Sequence, residues 1–324
     1  MFDQFDASTR QALLLLAAGA GILILWARRN AASSEEKPDI ALLKNIHRDY
    51  IVHLKERVQV THNTVLLRFA LPSEDQVSSG PHRDGLVAKV LGCAVGQHVY
   101  LSLYKGERLL VRPYTPVSLC DQRGTFDIII KVYRQGTSLK YPDGGIMSQT
   151  LDSLLPGDPV QIQGPKGKFE YIGRGRFLLE KSSVMYVASH IGLVAAGSGV
   201  TPMLQLLRQT FADASDFTRM FMVNVNHSER DIIMHKELDE YAESHRRTFR
   251  LCHVLTKMPE RNRLRQTHVG YLAGPLTQAI LEKYLPPPSS YSVILVCGPP
   301  LLVSNVCQPA LKNIGHDRKR VLVY

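Results

Sequence analysis

Cysteine is sparse and unpatterned in this chain. There are five, Cys93, Cys120, Cys252, Cys297 and Cys307, and none forms a Cys-x-x-Cys pair. An odd number without that spacing excludes a disulfide framework and a thiolate zinc site, and fits a reducing compartment. Histidine, cysteine and aspartate nowhere fall at metal-ligand spacing, so no metal is expected. No block of Lys and Arg interleaved with aromatics occurs, which sets nucleic acid aside although the formal net charge is +10. Such an excess then points to an anionic membrane surface or an acidic protein partner. Internal repeats and long low-complexity tracts are absent as well.

A positively charged start is also missing. The opening MFDQFDASTR sets Asp3 and Asp6 against Arg10, which argues against a secretory signal peptide. Residues 12–27 read ALLLLAAGAGILILWA and carry no charge. That run is slightly short of the ~20 residues that span a bilayer. Gln11 can extend it, and Trp26 suits the interface. Arg28 and Arg29 follow, and the positive-inside rule then places everything beyond them in the cytosol. The competing reading is a buried core helix; the absence of an amphipathic face and the polar stretch behind it count against that. The expected organisation is an anchor over residues 1–29 and a flexible linker over 30–39, NAASSEEKPD.

What remains is long enough for two domains, with 44% hydrophobic and 21% charged residues among the whole 324. From 40 to 177 the pattern is short and strand-like. Val58–Val60, Val65–Ala70, His98–Tyr104, Thr125–Tyr133 and Pro159–Gln163 are rich in β-branched and aromatic residues, with Gly, Pro and Asp between them. This predicts an antiparallel barrel, with Pro72–Val90 as a surface loop or hinge. From 184 to 324 strands and helices alternate. Ile191–Ala195, Met220–Val225, Phe249–Leu255, Val293–Cys297 and Val321–Tyr324 read as strands. Pro202–Phe211, Asp231–His245, Leu276–Leu285 and Leu301–Ile314 read as helices, the last kinked at Pro309. Alternation of this kind gives a parallel sheet covered by helices, a Rossmann-like α/β domain.

Four motifs carry chemistry. Gly197-Ser198-Gly199-Val200-Thr201-Pro202 joins an apolar strand to a helix, the arrangement that offers backbone N–H groups to a pyrophosphate. Pro202 stands where GxGxxG has its third glycine, and a plain strand-to-helix turn explains the motif too. Arg112-Pro113-Tyr114-Thr115-Pro116-Val117-Ser118 follows a strand and offers a guanidinium fork, a flat aromatic face and a hydroxyl. Alone it is equally a proline-bracketed turn. Gly144-Gly145-Ile146-Met147-Ser148-Gln149 suggests a second pyrophosphate cradle. Cys297-Gly298-Pro299-Pro300 ends an apolar strand, where ligands sit in such sheets.

The order RPYTPVS, KVY, GGIMSQ, GPKGKF, GSGVTPM, CGPP resembles the ferredoxin–NADP reductase superfamily, and within it the NADH–cytochrome b5 reductases. The likeness runs from about Ile46 to Tyr324 and includes VGQH at Val95–His98, the pattern at Asn226–Ile232 and the aromatic C-terminal residue. It implies FAD as cofactor and NADH as substrate. Arg112, Pro113, Tyr114, Thr115 and Ser118 would border FAD, with Thr115 near flavin N5. Tyr133, Gly145, Met147 and Ser148 would hold its ribityl and phosphate parts, with Lys131 near the dinucleotide site. Gly197, Gly199, Thr201 and Pro202 would border the nicotinamide nucleotide, with Gly298 and Pro299 beside them. Cys297 would sit near nicotinamide C4, and Asp231 would face the adenosine ribose. The implied acceptor is cytochrome b5 or a similar acidic heme protein, and the implied membrane is the endoplasmic reticulum or the outer mitochondrial membrane. A reductase for another acceptor such as a quinone, and a tethered flavin-binding module without turnover, are the other readings. Lys131, Lys140, Lys166 and Lys168 form the expected docking set. His98 is expected to be a packed barrel residue. The chain departs from the family pattern at Ile146, where Lys is usual, and in Met258–His268, which lacks the typical Trp.

Overall fold

The computed structural model describes residues 40–72, 88–136, 142–180, 184–257 and 268–324. The expected anchor and linker, most of the Pro72–Val90 loop, Lys140 and most of Met258–His268 lie outside the described residues. Among the described residues no helix is long and apolar enough to cross a membrane.

The first lobe is a six-stranded antiparallel sheet. Its strands are β1 (Tyr50–Thr61), β2 (Thr64–Ala70), β3 (Gln97–Lys105), β4 (Arg108–Tyr114), β5 (Thr125–Lys131) and β6 (Pro159–Gly167), in the order β4-β3-β6-β1-β2-β5. The outer strands β4 and β5 meet at one end. Pro116 bridges Ile128 there, and the Val117 N–H donates to the Asp127 carbonyl (2.8 Å). Inward residues such as Leu54, Leu67, Leu101 and Ile128 are fully buried, each contributing about 1.5–3 kcal/mol. β1 is far longer than expected because its outward positions carry His53, Lys55 and Arg57, which interrupt the apolar signal. β4 was not expected as a strand at all. Arg112, Pro113 and Tyr114 therefore end a strand rather than follow one. Pro113 is tolerated because β4 is an edge.

One short helix, α1 (Ile146–Asp152), follows β5. A three-stranded sheet, β7 (Phe169–Tyr171), β8 (Arg176–Leu179) and β9 (Met185–Val187), then spans the boundary expected between 177 and 184.

The second lobe is a six-stranded sheet, parallel throughout. It is built from β10 (His190–Ala196), β11 (Arg219–Asn226), β12 (Phe249–Leu255), β13 (Gly270–Ala273), β14 (Ser292–Cys297) and β15 (Val321–Val323), ordered β13-β12-β11-β10-β14-β15. The helices are α2 (Thr201–Ala212), α3 (His235–Ser244), α4 (Gln278–Tyr284) and α5 (Gln308–Ile314). The chain leaves β10 toward β11 on one side and returns to β14 on the other. That reversal makes a crevice at the carboxyl ends of β10 and β14. Two apolar clusters line the two faces of this sheet, and one of them continues into the first lobe through Val95, Val117 and Ile129.

Two expected helices differ in detail from the sequence reading, one in its start and one in its winding. The one expected from Asp231 begins at His235, because Glu229–Asp231 forms a separate 3-10 turn and Met234 takes a left-handed conformation (φ 54°). The one ending at Ile314 contains a π turn, Val303–Cys307, directly before α5. Pro309 lacks an N–H and its ring crowds the carbonyl four residues back, so a widened turn accommodates it.

Helix α2 ties the lobes together. The Gly96 N–H donates to the Gln205 side chain (2.9 Å), Arg208 donates to the Val117 carbonyl (2.8 Å), and the Cys120 N–H donates to Gln209 (3.1 Å). Spacing of three and four residues puts Gln205 and its two neighbours on one side of the helix. Arg208 is itself held by Glu237 of α3 through two bonds of 2.6 and 2.7 Å.

Candidate active site

Alternation along β4 puts Arg108, Leu110, Arg112 and Tyr114 on one face. With His98 and Tyr100 of β3, that face walls a cleft of about 1070 Å³. This is the upper end of the size range of small-molecule sites, roughly 300–1,000 Å³, and suits a dinucleotide. Across the cleft lie Lys131 and Tyr133 at the end of β5, and Gly144 to Ser148 at the start of α1. The floor is made by Ser198, Gly199, Thr201 and Pro202 after β10, by Cys297, Gly298 and Pro300 after β14, and by Tyr324. A second hollow of about 980 Å³ lies at the amino ends of the parallel strands, by His190, Arg219 and Phe249, away from these motifs.

The cleft thus gathers Arg112, Pro113, Tyr114, Thr115, Lys131, Tyr133, Gly145, Met147, Ser148, Gly199, Thr201, Pro202, Cys297 and Gly298. Ser118, Gly197, Asp231 and Pro299 lie outside its lining. Ser118 is buried, and its hydroxyl accepts from the Asp127 N–H (3.2 Å), so it secures the end where β4 meets β5. Gly197 opens the turn after β10 with φ 54°, a conformation glycine adopts without strain. The Pro299 carbonyl accepts from the Val303 N–H (3.1 Å) and so starts the last helix.

Asp231 is engaged by protein groups. One carboxylate oxygen accepts from the Ser228 hydroxyl (2.5 Å) and N–H (3.1 Å), and the other lies 3.3 Å from Lys131 Nζ and 3.7 Å from His62. Burial opposes its ionisation, but Ser228 and Lys131 outweigh burial and hold the carboxyl below its ordinary range. This ion pair joins β5 to the loop after β11, so a ribose reaches Asp231 only by competing with Lys131.

Several side chains suit FAD. The Arg112 guanidinium is exposed, forms no ion pair among the described residues, and donates only to the neighbouring Val111 carbonyl (2.7 Å). It is available to a phosphate in a two-point fork. Gly145 caps α1 without a side-chain hydrogen bond, and the first turn, which lines the cleft, keeps N–H groups available to an anion. A Cβ at Gly145 would meet the Ser148 hydroxyl at 2.7 Å. That hydroxyl is occupied: it donates to the Gly145 carbonyl (2.9 Å) and accepts from the Tyr133 N–H (3.1 Å), so Ser148 braces the cradle. Burial pushes the Tyr114 phenol up to about 12, keeping it a neutral donor. The residues present fit the cofactor.

The turn after β10 packs against the end of β14. A Cβ at Gly199 would fall 2.2 Å from the Cys297 carbonyl oxygen, so glycine is required there for the approach of two backbones. This contact sets where Cys297 stands. Burial pushes the Cys297 thiol up to about 11, so at neutral pH it is an uncharged thiol. Tyr324 packs edge-on against Phe169 (5.2 Å between ring centres), and its hydroxyl is buried without a partner. Sequence reasoning noted Tyr324 only as an aromatic terminus and took His98 as barrel packing; both line the cleft. Burial, then Lys166, lowers the pKa of His98.

Among the described residues, the lysines expected to meet a partner stand in different surroundings. Lys131 is paired with Asp231, Lys168 donates to the Val323 carbonyl (2.7 Å), and Lys166 lies over the Tyr100 ring (5.2 Å). Lys105 and Arg108, at the β3–β4 turn, are exposed and form no ion pair among the described residues.

An oxidoreductase FAD-binding domain model matches residues 51–171, and an oxidoreductase NAD-binding domain model matches 193–308. The chain is 36% identical over 323 residues to NADH-cytochrome b5 reductase 2 of Xenopus tropicalis, covering 98% of this chain and 100% of the relative. It is 34% identical over 304 residues to NADH-cytochrome b5 reductase 3 of Rattus norvegicus, covering 93% and 92%. Among solved structures it matches the cytochrome b5 reductase domain of Ulva prolifera nitrate reductase, with a TM-score of 0.77, 26% identity and coverage of 88% and 100%. With this sequence, this fold and this cleft, the chain belongs to the NADH–cytochrome b5 reductase family.

Proposed function

We propose that this chain oxidises NADH through FAD and passes the electrons one at a time to cytochrome b5. The observation that carries this is the convergence of the Arg112–Thr115 wall, the Gly145 cradle and the Gly199–Cys297 contact on one cleft. When bound, FAD supplies the step from a two-electron hydride donor to a one-electron heme acceptor. The chain's own residues bind and orient. Arg112 and the first turn of α1 hold phosphates. Thr115 lines the cleft beside Tyr114. Cys297 and Gly199 fix part of the floor that would receive a nicotinamide. A purified full-length protein tested against cytochrome b5, a quinone and other heme proteins checks the acceptor. Faster reduction of cytochrome b5 supports this function; faster reduction of a quinone overturns it.

The partner is expected to be acidic. Arg108, which lines the cleft, its strand partner Lys105, and Lys166 over the Tyr100 ring are the cations that support this docking face. Residues 12–27 tether the enzyme to a membrane, the endoplasmic reticulum or the outer mitochondrial membrane, with the catalytic unit in the cytosol. Their uncharged run and the following Arg28-Arg29 pair support this. A chain beginning at residue 30 that still sediments with membranes would show the tether to be elsewhere.

A further inference from the structure

Outside the cleft, α3, β12 and β13 bring three potential metal ligands together. His235 Nε2, Asp239 and His253 Nε2 offer atoms all within 4.8 Å of one another. His235 and Asp239 are four residues apart on α3 and so share a face. His253 comes from β12 and is completely buried; the other two side chains are about a third exposed. A phenol from β13 completes the group, with Tyr271 Oη 2.7 Å from His235 Nε2 and 3.3 Å from Asp239 Oδ2.

We propose that His235, Asp239 and His253, with Tyr271 as a fourth oxygen, form a binding site for a divalent transition cation, zinc foremost. Imidazole and carboxylate together suit this class of ion. Ligand atoms at about 2.0–2.1 Å from a tetrahedral zinc lie roughly 3.3 Å apart. The separations match: 3.2 Å from His253 Nε2 to Asp239 Oδ1, 3.4 Å from His235 Nε2 to Asp239 Oδ2, and 3.3 Å from Tyr271 Oη to Asp239 Oδ2. For one ion to be shared, the 2.7 Å contact between His235 and Tyr271 must open, and Asp239, which meets His253 through Oδ1 and His235 and Tyr271 through Oδ2, must turn one oxygen to the ion. The cation enters from the exposed side of His235 and Asp239, which line an open groove beside β1.

The surroundings can set the tautomer that a ligand needs. Asn224 Nδ2 lies 3.3 Å from His253 Nδ1, and Asn226 Nδ2 donates to Asn224 Oδ1 (3.1 Å). Turning both amides over aims Asn224 Oδ1 at a proton on His253 Nδ1. Asn224 then donates to Asn226 Oδ1, a buried atom with no partner in the present arrangement. The His253 Nε2 lone pair is thereby freed for the metal, the usual role of such an outer partner. A bound ion would clasp α3 to the outer strands of the parallel sheet, away from the cleft.

The test uses the full-length flavoprotein in detergent, stripped with chelator and titrated with Zn²⁺ and, separately, Co²⁺. Expected are one ion per chain, the strong visible bands of four-coordinate Co²⁺, and a Zn²⁺-dependent rise in Tm. Because His253 is fully buried, its replacement endangers the fold, and the partly exposed ligands carry the decision. His235→Ala and Asp239→Asn should abolish the Tm rise and keep normal flavin reduction by NADH. Their affinity loss should exceed the roughly 10–100-fold expected for the outer-partner change Asn224→Ala. Tyr271→Phe should alter the Co²⁺ spectrum. No binding by the wild-type chain, or an affinity unchanged in both His235→Ala and Asp239→Asn, overturns the proposal.

Discussion

Arg112 carries the clearest prediction at the scale of one residue. Its guanidinium is exposed and meets no carboxylate among the described residues, on the cleft face of an edge strand. A hydrogen bond to a charged group contributes about 1.5–3 kcal/mol. Arg112→Ala should therefore weaken FAD by roughly 10–100-fold, and Arg112→Lys should recover only part, because an ammonium lacks the fork. Reconstitution of the apoprotein with FAD measures this, and equal affinities would remove Arg112 from phosphate binding. His98 gives a pH prediction. Burial, then Lys166, lowers its pKa in the folded state, so below the ordinary imidazole value of about 6.5 the unfolded chain takes up more protons. The stability tied to a neutral His98 is full above that pH and is lost as pH falls through the lowered value. Urea midpoints at pH 7.5 and 5.5 should differ more in the wild type than in His98→Gln. His316, lowered by burial alone, adds to the same slope and leaves a remainder. Arg112, Tyr114 and Cys297 were legible in the sequence because their motifs are local. The ion pair of Asp231 was not, because Lys131 and His62 arrive from another lobe.

Among the elements, the turn after β10 and the end of β14 act as one unit. Gly199→Ala drives a Cβ into the Cys297 backbone, which has no side-chain freedom with which to yield. Displacement of about 1 Å at a reacting position can cost 10²-fold, so NADH turnover should fall by about that factor while flavin content stays normal. Stopped-flow reduction of the bound flavin is the measurement, and an unchanged rate would detach Gly199 from the nicotinamide floor. Central strands of the parallel sheet were readable because they are buried on both faces and so are continuously apolar, as in β10. Two edge strands, β4 and β13, were not. β4 carries Arg108, Arg112 and Pro113, and β13 has only four residues, none of them buried. The cluster His235–Asp239–His253 was also invisible, because only His235 and Asp239 share an element and His253 arrives from a separate strand.

At the scale of the whole molecule, α2 and the Lys131–Asp231 pair hold the two lobes against the same cleft. The net charge of +10 and the exposed cations at the β3–β4 turn suit an acidic partner. Electron delivery to cytochrome b5 should slow as salt rises, since steering by opposite charges raises association 10 to 1,000-fold and is screened. Flavin reduction by NADH should change little. Lys166→Glu and Arg108→Glu should each weaken delivery at low salt; a flat salt dependence with both variants like wild type would move the docking face elsewhere. The most direct test of the account is an anaerobic titration of the full-length flavoprotein with NADH, followed by addition of oxidised cytochrome b5. One equivalent of NADH should bleach the flavin spectrum, and the reduced protein should then convert two equivalents of cytochrome b5. A flavin that NADH leaves oxidised, or a reduced flavin that cytochrome b5 cannot reoxidise, would contradict it.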